Sequence, residues 1–350
     1  MVVKILQNKV SEILDKAVKI NELKTDEIKI LLQTEGKEFK ELCQHASQLR
    51  DKFHGDEIHL RAIIEFSNYC NRNCKYCGLR KDNNKLTRYQ LNPEQIIKMA
   101  EDAAQLGYKT VVLQSGEDNY NCDDIADIIS KIKRKADIAV TLSLGERDYE
   151  EYKIWKKAGA DRYLLKQETA NKDLYNELHP DMKYDERIRR LKWLKELGYQ
   201  VGSGNIIGLP GQKIDHMVED IKLFKKLDLH MVGIGPFISH RETPLRNLTS
   251  GTVKMTLKNI AITRLLLPLS HIPATTALGS IDPEGRQKAI KAGANVVMPN
   301  VTETSYRPLY EIYPSKICIN EKAEDCRQCI GGIINSLGKK VSTGYGHCVK

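Results

Sequence analysis

No apolar run in this 350-residue chain approaches the ~18 residues needed to cross a bilayer, so a membrane-spanning helix is not expected. The first ten residues, MVVKILQNKV, turn polar too soon for a secretory signal. A basic arm is also missing. The formal charge of +9 is spread along the chain, which argues against a nucleic-acid partner and suits an anionic small molecule. Neither common nucleotide-binding loop is present. Gly202, Gly204 and Gly208 give G-x-G-x-x-x-G, one residue longer than the dinucleotide fingerprint, and Ile333 stands where a Walker loop ending in Gly338–Lys339 needs glycine. Nor is there a coiled-coil seam or a triad-like histidine spacing; His179, His230, His240, His271 and His347 read as surface or core residues. A cytoplasmic protein is expected, with a large core built from its 41% hydrophobic residues.

Against these absences stand nine cysteines. A reducing compartment does not sustain disulfides, so clustered cysteines there bind metal or carry out redox chemistry. Six fall into two groups, Cys70–Cys74–Cys77 and Cys318–Cys326–Cys329. Cys43, Cys122 and Cys348 stand alone and read as small core hydrophobes.

The chain begins with helices. Thr25 is expected to cap a helix with Asp26 and Glu27 in its first turn, and a second helix is expected over Glu38–Lys52, with Leu42, Ala46 and Leu49 inward. From His59 onward, short apolar runs alternate with amphipathic stretches. The runs are Leu60–Phe66, Thr110–Gln114, Ile138–Leu144, Arg162–Lys166, Gln200–Ile207, Met231–Ile238, Ile272–Leu278 and Asn295–Met298. Strands alternating with helices imply parallel pairing with right-handed crossovers. Eight such units predict an α/β fold, a (βα)8 TIM-type barrel. The expected divisions are an N-terminal helical extension (1–56), the barrel (57–303) and a C-terminal loop region with the second cysteine triplet (304–350). Functional residues of such barrels sit after the C-terminal ends of the strands. That rule gathers Ser67, Asn68 and the first cysteine group with Gln114–Asp118, Ser143, Glu146, Gln167, Glu168, Asn205, Thr275, Thr276, Asn300 and Thr302.

Cys70-x3-Cys74-x2-Cys77 offers three thiolates on one loop. A structural zinc site or a ferredoxin-type carrier would supply four ligands, so three leave one metal position open for binding something else. A soft all-sulfur set favours iron–sulfur chemistry. With Tyr76 before the last cysteine, this stretch resembles the radical S-adenosylmethionine superfamily. The resemblance covers nearly the whole chain and narrows to the branch holding biotin synthase, methylornithine synthase and the FeFe-hydrogenase maturases of the HydE type. It is carried by Leu113-Gln-Ser-Gly-Glu-Asp118, Thr141-Leu-Ser-Leu-Gly-Glu146, Arg162-Tyr-Leu-Leu-Lys-Gln-Glu-Thr169, Gly235-Pro-Phe-Ile238 with Thr243-Pro-Leu245, and Ala274-Thr-Thr-Ala-Leu-Gly279.

The resemblance implies a 4Fe–4S cluster on Cys70, Cys74 and Cys77 with an open iron, chelated by S-adenosyl-L-methionine and used to generate a 5′-deoxyadenosyl radical. Tyr76, Gln114, Ser115, Gly116, Glu117, Thr141, Ser143, Glu168 and Arg187 would bind that cofactor; Ser115 departs from the family's Gly-Gly-Glu pattern. Arg162, Thr275, Thr276 and Tyr306 would meet the substrate. Adjacent threonines on a strand face opposite ways, so one of that pair could point outward. Cys318, Cys326 and Cys329 resemble an auxiliary, non-catalytic cluster site (2Fe–2S or 4Fe–4S). For the HydE type the implied substrate is a small anionic cysteine-bound Fe(CO)2(CN) species, and the implied partners are an electron-donor protein and the other maturases, HydG and HydF. A methylornithine synthase-like mutase, an iron–sulfur scaffold or carrier without radical chemistry, and a zinc-dependent binding module remain the alternatives.

Overall fold

The structure, a computed structural model, describes residues 2–350, with side chains from residue 9. Six parallel strands form the main sheet in sequential order: β2 (Ala62–Ser67), β3 (Thr110–Ser115), β4 (Ala139–Ser143), β5 (Arg162–Leu164), β6 (Gln200–Ile207) and β7 (Met231–Pro236). They follow β1 (Glu57–Leu60), which belongs to a separate small sheet with β8 (Val296–Val297) on one side and β9 (Lys340–Val341) on the other. The strands are short apolar runs because a parallel sheet is covered on both faces. Crossover helices supply one cover. In Cys122–Lys135 the buried positions Ile125, Ile128, Ile129 and Ile132 make one stripe. The helix Pro93–Gln105 starts at a reciprocal cap: Asn92 Oδ1 accepts from Gln95 N at 2.9 Å and Gln95 Oε1 accepts from Asn92 N at 3.0 Å.

The expected eight-stranded TIM-type barrel is therefore corrected to a six-stranded parallel sheet plus a three-stranded one. Three runs account for the difference. The first, Leu60–Phe66, is divided at Arg61 between β1 and β2. The seventh, Ile272–Leu278, touches its neighbours only through single bridges, Met231 to His271 and Pro273 to Val296. Pro273 has no N–H to donate, and Thr275 already caps the helix Thr276–Ile281. The eighth shrinks to two residues ahead of Pro299 and pairs with β1, through His59–Val296 and Leu60–Val297.

Three N-terminal helices, Val2–Ile20, Thr25–Leu32 and Gly36–His54, cover one side. Thr25 is not the cap of the second; Lys24 is, and the Glu27 carboxylate accepts its backbone N–H at 2.6 Å. The third buries Leu42, Ala46 and Leu49 as expected. These helices are tied to the helix Val253–Leu266, where Lys258 Nζ reaches Leu32 O and Glu35 Oε1, each at 3.0 Å. No described helix is long and apolar enough to cross a membrane.

At the N-terminal end of the sheet, His54, His59 and His271 gather beneath the strands, with ring centroids 5.4 and 4.9 Å from that of His271. Burial, then the neighbouring Arg264, holds His54 down to about 3. Burial and Arg61 hold His59 down to about 4 and His271 well below the usual imidazole value. The unfolded chain takes up these protons near pH 6.5 and the folded chain refuses them. Stability from this cluster is thus complete above that pH and is lost progressively as pH falls through about 4 for His59 and about 3 for His54. Thermal unfolding should show it, at about 1.4 kcal/mol per histidine per pH unit; a melting temperature unchanged from pH 7 to pH 5 would contradict the assignment.

Candidate active site

A cavity of about 390 Å³ opens at the C-terminal ends of β2–β7. Its wall on the β2 side is the long loop after Ser67, which carries Cys70, Cys74 and Cys77. Asn68 and Arg88 fasten that loop. Asn68 donates to Thr87 O (2.8 Å) and Leu309 O (2.7 Å) and accepts from Tyr89 N (2.8 Å). Arg88 donates to Asn68 O, Leu79 O and Arg80 O at 2.6–2.9 Å. The loop is also pressed against the end of β3. A Cβ on Gly116 would lie 2.1 Å from Tyr69 O and 3.0 Å from Cys70 Cβ, so only glycine permits this approach. Gly145, at φ +75°, similarly leaves room for the Glu117 carboxylate.

All three thiols line the cavity. Burial pushes each above the usual thiol range, Cys77 to about 12, and the neighbouring thiols push Cys74 further. Among the described residues, no three His, Cys, Asp or Glu side chains are arranged to hold a single metal ion. A multi-iron cluster asks each thiol for a different iron, and its positive irons remove the cost of burying thiolates. The donor set fits that group.

Around the thiols, Tyr76, Gln114, Ser115, Gly116, Glu117, Ser143, Glu168 and Arg187 line the same space. Tyr76 OH donates to His179 Nε2 at 2.8 Å, while His179 Nδ1 lies 2.7 Å from Tyr175 O, which assigns the ring proton to Nδ1. Burial keeps this imidazole neutral, near 3. Arg72 Nε pairs with Glu117 Oε1 at 2.5 Å. Arg187 Nε pairs with Glu146 Oε1 at 2.7 Å, both largely buried, and Arg187 Nη1 donates to Lys166 O. Arg72 and Arg190 also approach Glu146, at 4.0 and 3.7 Å. Lys166 Nζ meets Glu168 Oε2 at 2.9 Å.

Other expected residues lie elsewhere. Arg162 is the first residue of β5 and therefore sits at the opposite end of the strand from the mouth. It donates to Thr110 Oγ1 (3.1 Å), Tyr345 O (2.7 Å) and His347 Nδ1 (2.9 Å), fastening the C-terminal residues to the base. Thr141 is buried inside β4 and does not line the cavity. Tyr306 packs on Tyr89, centroids 5.0 Å apart; Tyr310 and Tyr313 of the same segment line the cavity instead. Thr275 and Thr276 both line it, because they sit at a helix start rather than along a strand. Cys318, Cys326 and Cys329 lie outside it. Cys326 lies close enough to Cys318 to lower the Cys318 thiol to about 6, Arg286 Nη1 is 3.7 Å from Cys318 Sγ, and Cys329 is exposed.

Several lining residues escaped the sequence reading. Glu65 accepts from Asn300 Nδ2 at 2.6 Å and pairs with Lys316. A carboxylate inside the apolar run Ala62-Ile-Ile-Glu65-Phe-Ser67 was a readable signal; nothing in the sequence pointed to Lys316 or His179.

The sequence profile of the radical SAM superfamily matches residues 64–224. The [FeFe] hydrogenase maturase subunit HydE of Thermotoga maritima is 51% identical over 337 residues, 96% of each chain. A 3-methylornithine synthase of Methanosarcina acetivorans is 29% identical over 81% of each chain. Among solved structures, methylornithine synthase superposes with a TM-score of 0.83 at 24% identity (94% of this chain, 97% of that one). The maturase HydG superposes at 0.80 and 23% (96% and 76%); at these identities the likeness concerns the fold alone. A cavity walled by a three-cysteine loop at the end of β2, on a fold of this kind, defines a radical SAM enzyme. Within that superfamily, the chain belongs to the group of the FeFe-hydrogenase maturase HydE.

Gly116→Ala should force the cysteine loop off β3. The expected result is less than about half the wild-type iron and sulfide after anaerobic reconstitution, with a stability loss of about 1–3 kcal/mol. Full iron content would show that the close approach does not matter.

Proposed function

We propose that this enzyme acts in FeFe-hydrogenase maturation, using Cys70, Cys74 and Cys77 to hold a 4Fe–4S cluster beside S-adenosyl-L-methionine, and that its substrate is a cysteine-bound Fe(CO)2(CN) species attacked at sulfur. When bound, the cluster supplies the electron that splits the sulfonium into methionine and a 5′-deoxyadenosyl radical. The observation that carries the reading is the convergence of three thiols, two carboxylate–cation pairs, Arg72–Glu117 and Lys166–Glu168, and the Arg187 guanidinium on one cavity.

The side chains divide the work. Glu117 and the backbone of Gln114–Gly116 accept the cofactor's ammonium, for which Glu117 exchanges Arg72. Arg187, oriented by Glu146 and the Lys166 carbonyl, turns its remaining N–H groups to the carboxylate. Ser143 and Glu168 take the ribose hydroxyls. Tyr76, held by His179, closes the side of the cluster loop. Among the described residues Thr275 Oγ1 has no hydrogen-bond partner, which leaves it to donate to an anionic substrate; Thr276 and Lys316 add a second hydroxyl and a cation. Leu164, Met231, Phe237, Ile238 and Met298 present apolar surface that keeps water from a radical. The segment from residue 304 closes the cavity through Tyr310, Tyr313 and Lys316 and carries an auxiliary, non-catalytic cluster on Cys318, Cys326 and Cys329. An electron-donor protein and the maturases HydG and HydF complete the proposed partners; the relative from Thermotoga maritima is itself named as a hydrogenase maturase subunit.

Anaerobically reconstituted enzyme given dithionite and S-adenosyl-L-methionine should release 5′-deoxyadenosine, and Cys74→Ser should lower the rate about 100-fold or more. With the iron substrate, the adenosyl group should be recovered on the cysteine sulfur. Conversion of lysine to 3-methylornithine would overturn the maturase assignment, and an intact cluster that yields no 5′-deoxyadenosine would overturn the radical chemistry.

A further inference from the structure

From the packing behind the cavity we infer that Asp220, which lines no part of it, is the positioning residue that sets Glu168 towards the cofactor's ribose. The inference rests on the reading of Glu168 given above. Asp220 lies on the helix Ile214–Lys226, is fully buried against the back of β6, and pairs with no lysine or arginine among the described residues. Its partners are all neutral. Oδ1 accepts from Ala170 N, and Oδ2 accepts from Asn205 Nδ2 at 2.8 Å.

Those contacts hold one flank of a strained loop. Glu168 has φ +64°, the left-handed region that non-glycine residues seldom occupy without being held there. The flank before it is tied to β6: Gln167 Oε1 accepts from Ser203 Oγ and from Gly204 N (3.2 Å), and Glu168 N donates to Gly204 O at 3.0 Å. Glu168 O in turn accepts from Ile206 N at 2.9 Å. After Glu168, the bend from Thr169 N to Gln167 O (2.7 Å) turns the chain, and Ala170 N has Asp220 as its acceptor. Without that carboxylate the second flank is released, and Glu168, whose carboxylate already pairs with Lys166 at 2.9 Å, is no longer held at a fixed backbone position from which to meet the ribose. Asn205 fixes the other Asp220 oxygen and also bridges to Glu168 through the backbone, so the three residues form one unit. Burial alone would penalise such a carboxylate, and it raises this one to about 7. An ionisable group kept in a dry pocket without a cation is what a positioning role for its two acceptor oxygens requires.

The probe is 5′-methylthioadenosine, which carries the ribose but cannot chelate iron; its binding to the anaerobically reconstituted enzyme is followed by calorimetry. Asp220→Leu should weaken it about tenfold and raise KM for S-adenosyl-L-methionine similarly, with kcat for 5′-deoxyadenosine within about twofold. Asp220→Asn should restore binding to within about threefold, because its oxygen still accepts from Ala170 N and its amide can donate to Asn205 Oδ1, which has no partner among the described residues, once the Asn205 amide turns over. Glu168→Gln should weaken the probe on its own, and adding Asp220→Leu to it should cost nothing more, since one residue acts through the other. Additive losses, or wild-type binding by Asp220→Leu beside a weakened Glu168→Gln, would overturn the inference and leave the cofactor reading standing. Wild-type binding by Glu168→Gln would overturn that reading itself. If Asp220→Leu is insoluble, Asp220→Ser, too short to reach both partners, takes its place in the same cycle.

Discussion

Three half-buried thiols at the end of one strand resist ionisation unless something positive sits among them, and the rest of the cavity is arranged around that constraint. Burial raises Cys70, Cys74 and Cys77 alike, so the loop on which they lie has little reason to exist as an apolar feature of the core. Asn68, Arg88 and Gly116 nevertheless hold it rigidly against β3. Rigid placement of groups that are costly in isolation is how a binding site is prepared in advance of its ligand.

The charges nearby follow the same logic. Glu146 lies among Arg72, Arg187 and Arg190, and Glu65 is enclosed by Asn300 and Lys316. Glu146 and Glu65 each have a partner of opposite charge, and the charged groups that face the cavity can exchange theirs for the complementary group of a zwitterionic cofactor with little rearrangement. The apolar side of the cavity does the opposite service by giving water few places to bind. Asp220 extends this arrangement outward, since the orientation of a cavity carboxylate is set from behind the sheet.

Much of this was legible in the sequence where the information is local. Cys70, Cys74 and Cys77 were found by spacing, and Gln114–Glu117, Ser143 and Glu168 by their positions at strand ends, a rule that needs only the order of strands and helices. Arg162 came from the resemblance and not from that rule, which would have excluded it: it begins its run rather than ending it, and the first residue of a parallel strand faces the base. Counting apolar runs also overstated the sheet: a run holding Pro273, and one cut short before Pro299, look like strands in composition and lack the backbone pairing. Tyr310, Tyr313 and Lys316 arrive from a segment whose path is set by packing; Lys316 meets Glu65 across 251 positions, beyond any local pattern.

The central claim is that one iron of the cluster has no protein ligand and is reserved for the cofactor. Mössbauer spectroscopy of enzyme reconstituted with 57Fe, before and after addition of S-adenosyl-L-methionine, addresses it most directly. One iron site in four should change its isomer shift when the cofactor is added, and the other three should not. Four sites that ignore the cofactor would mean that a side chain already completes the cluster.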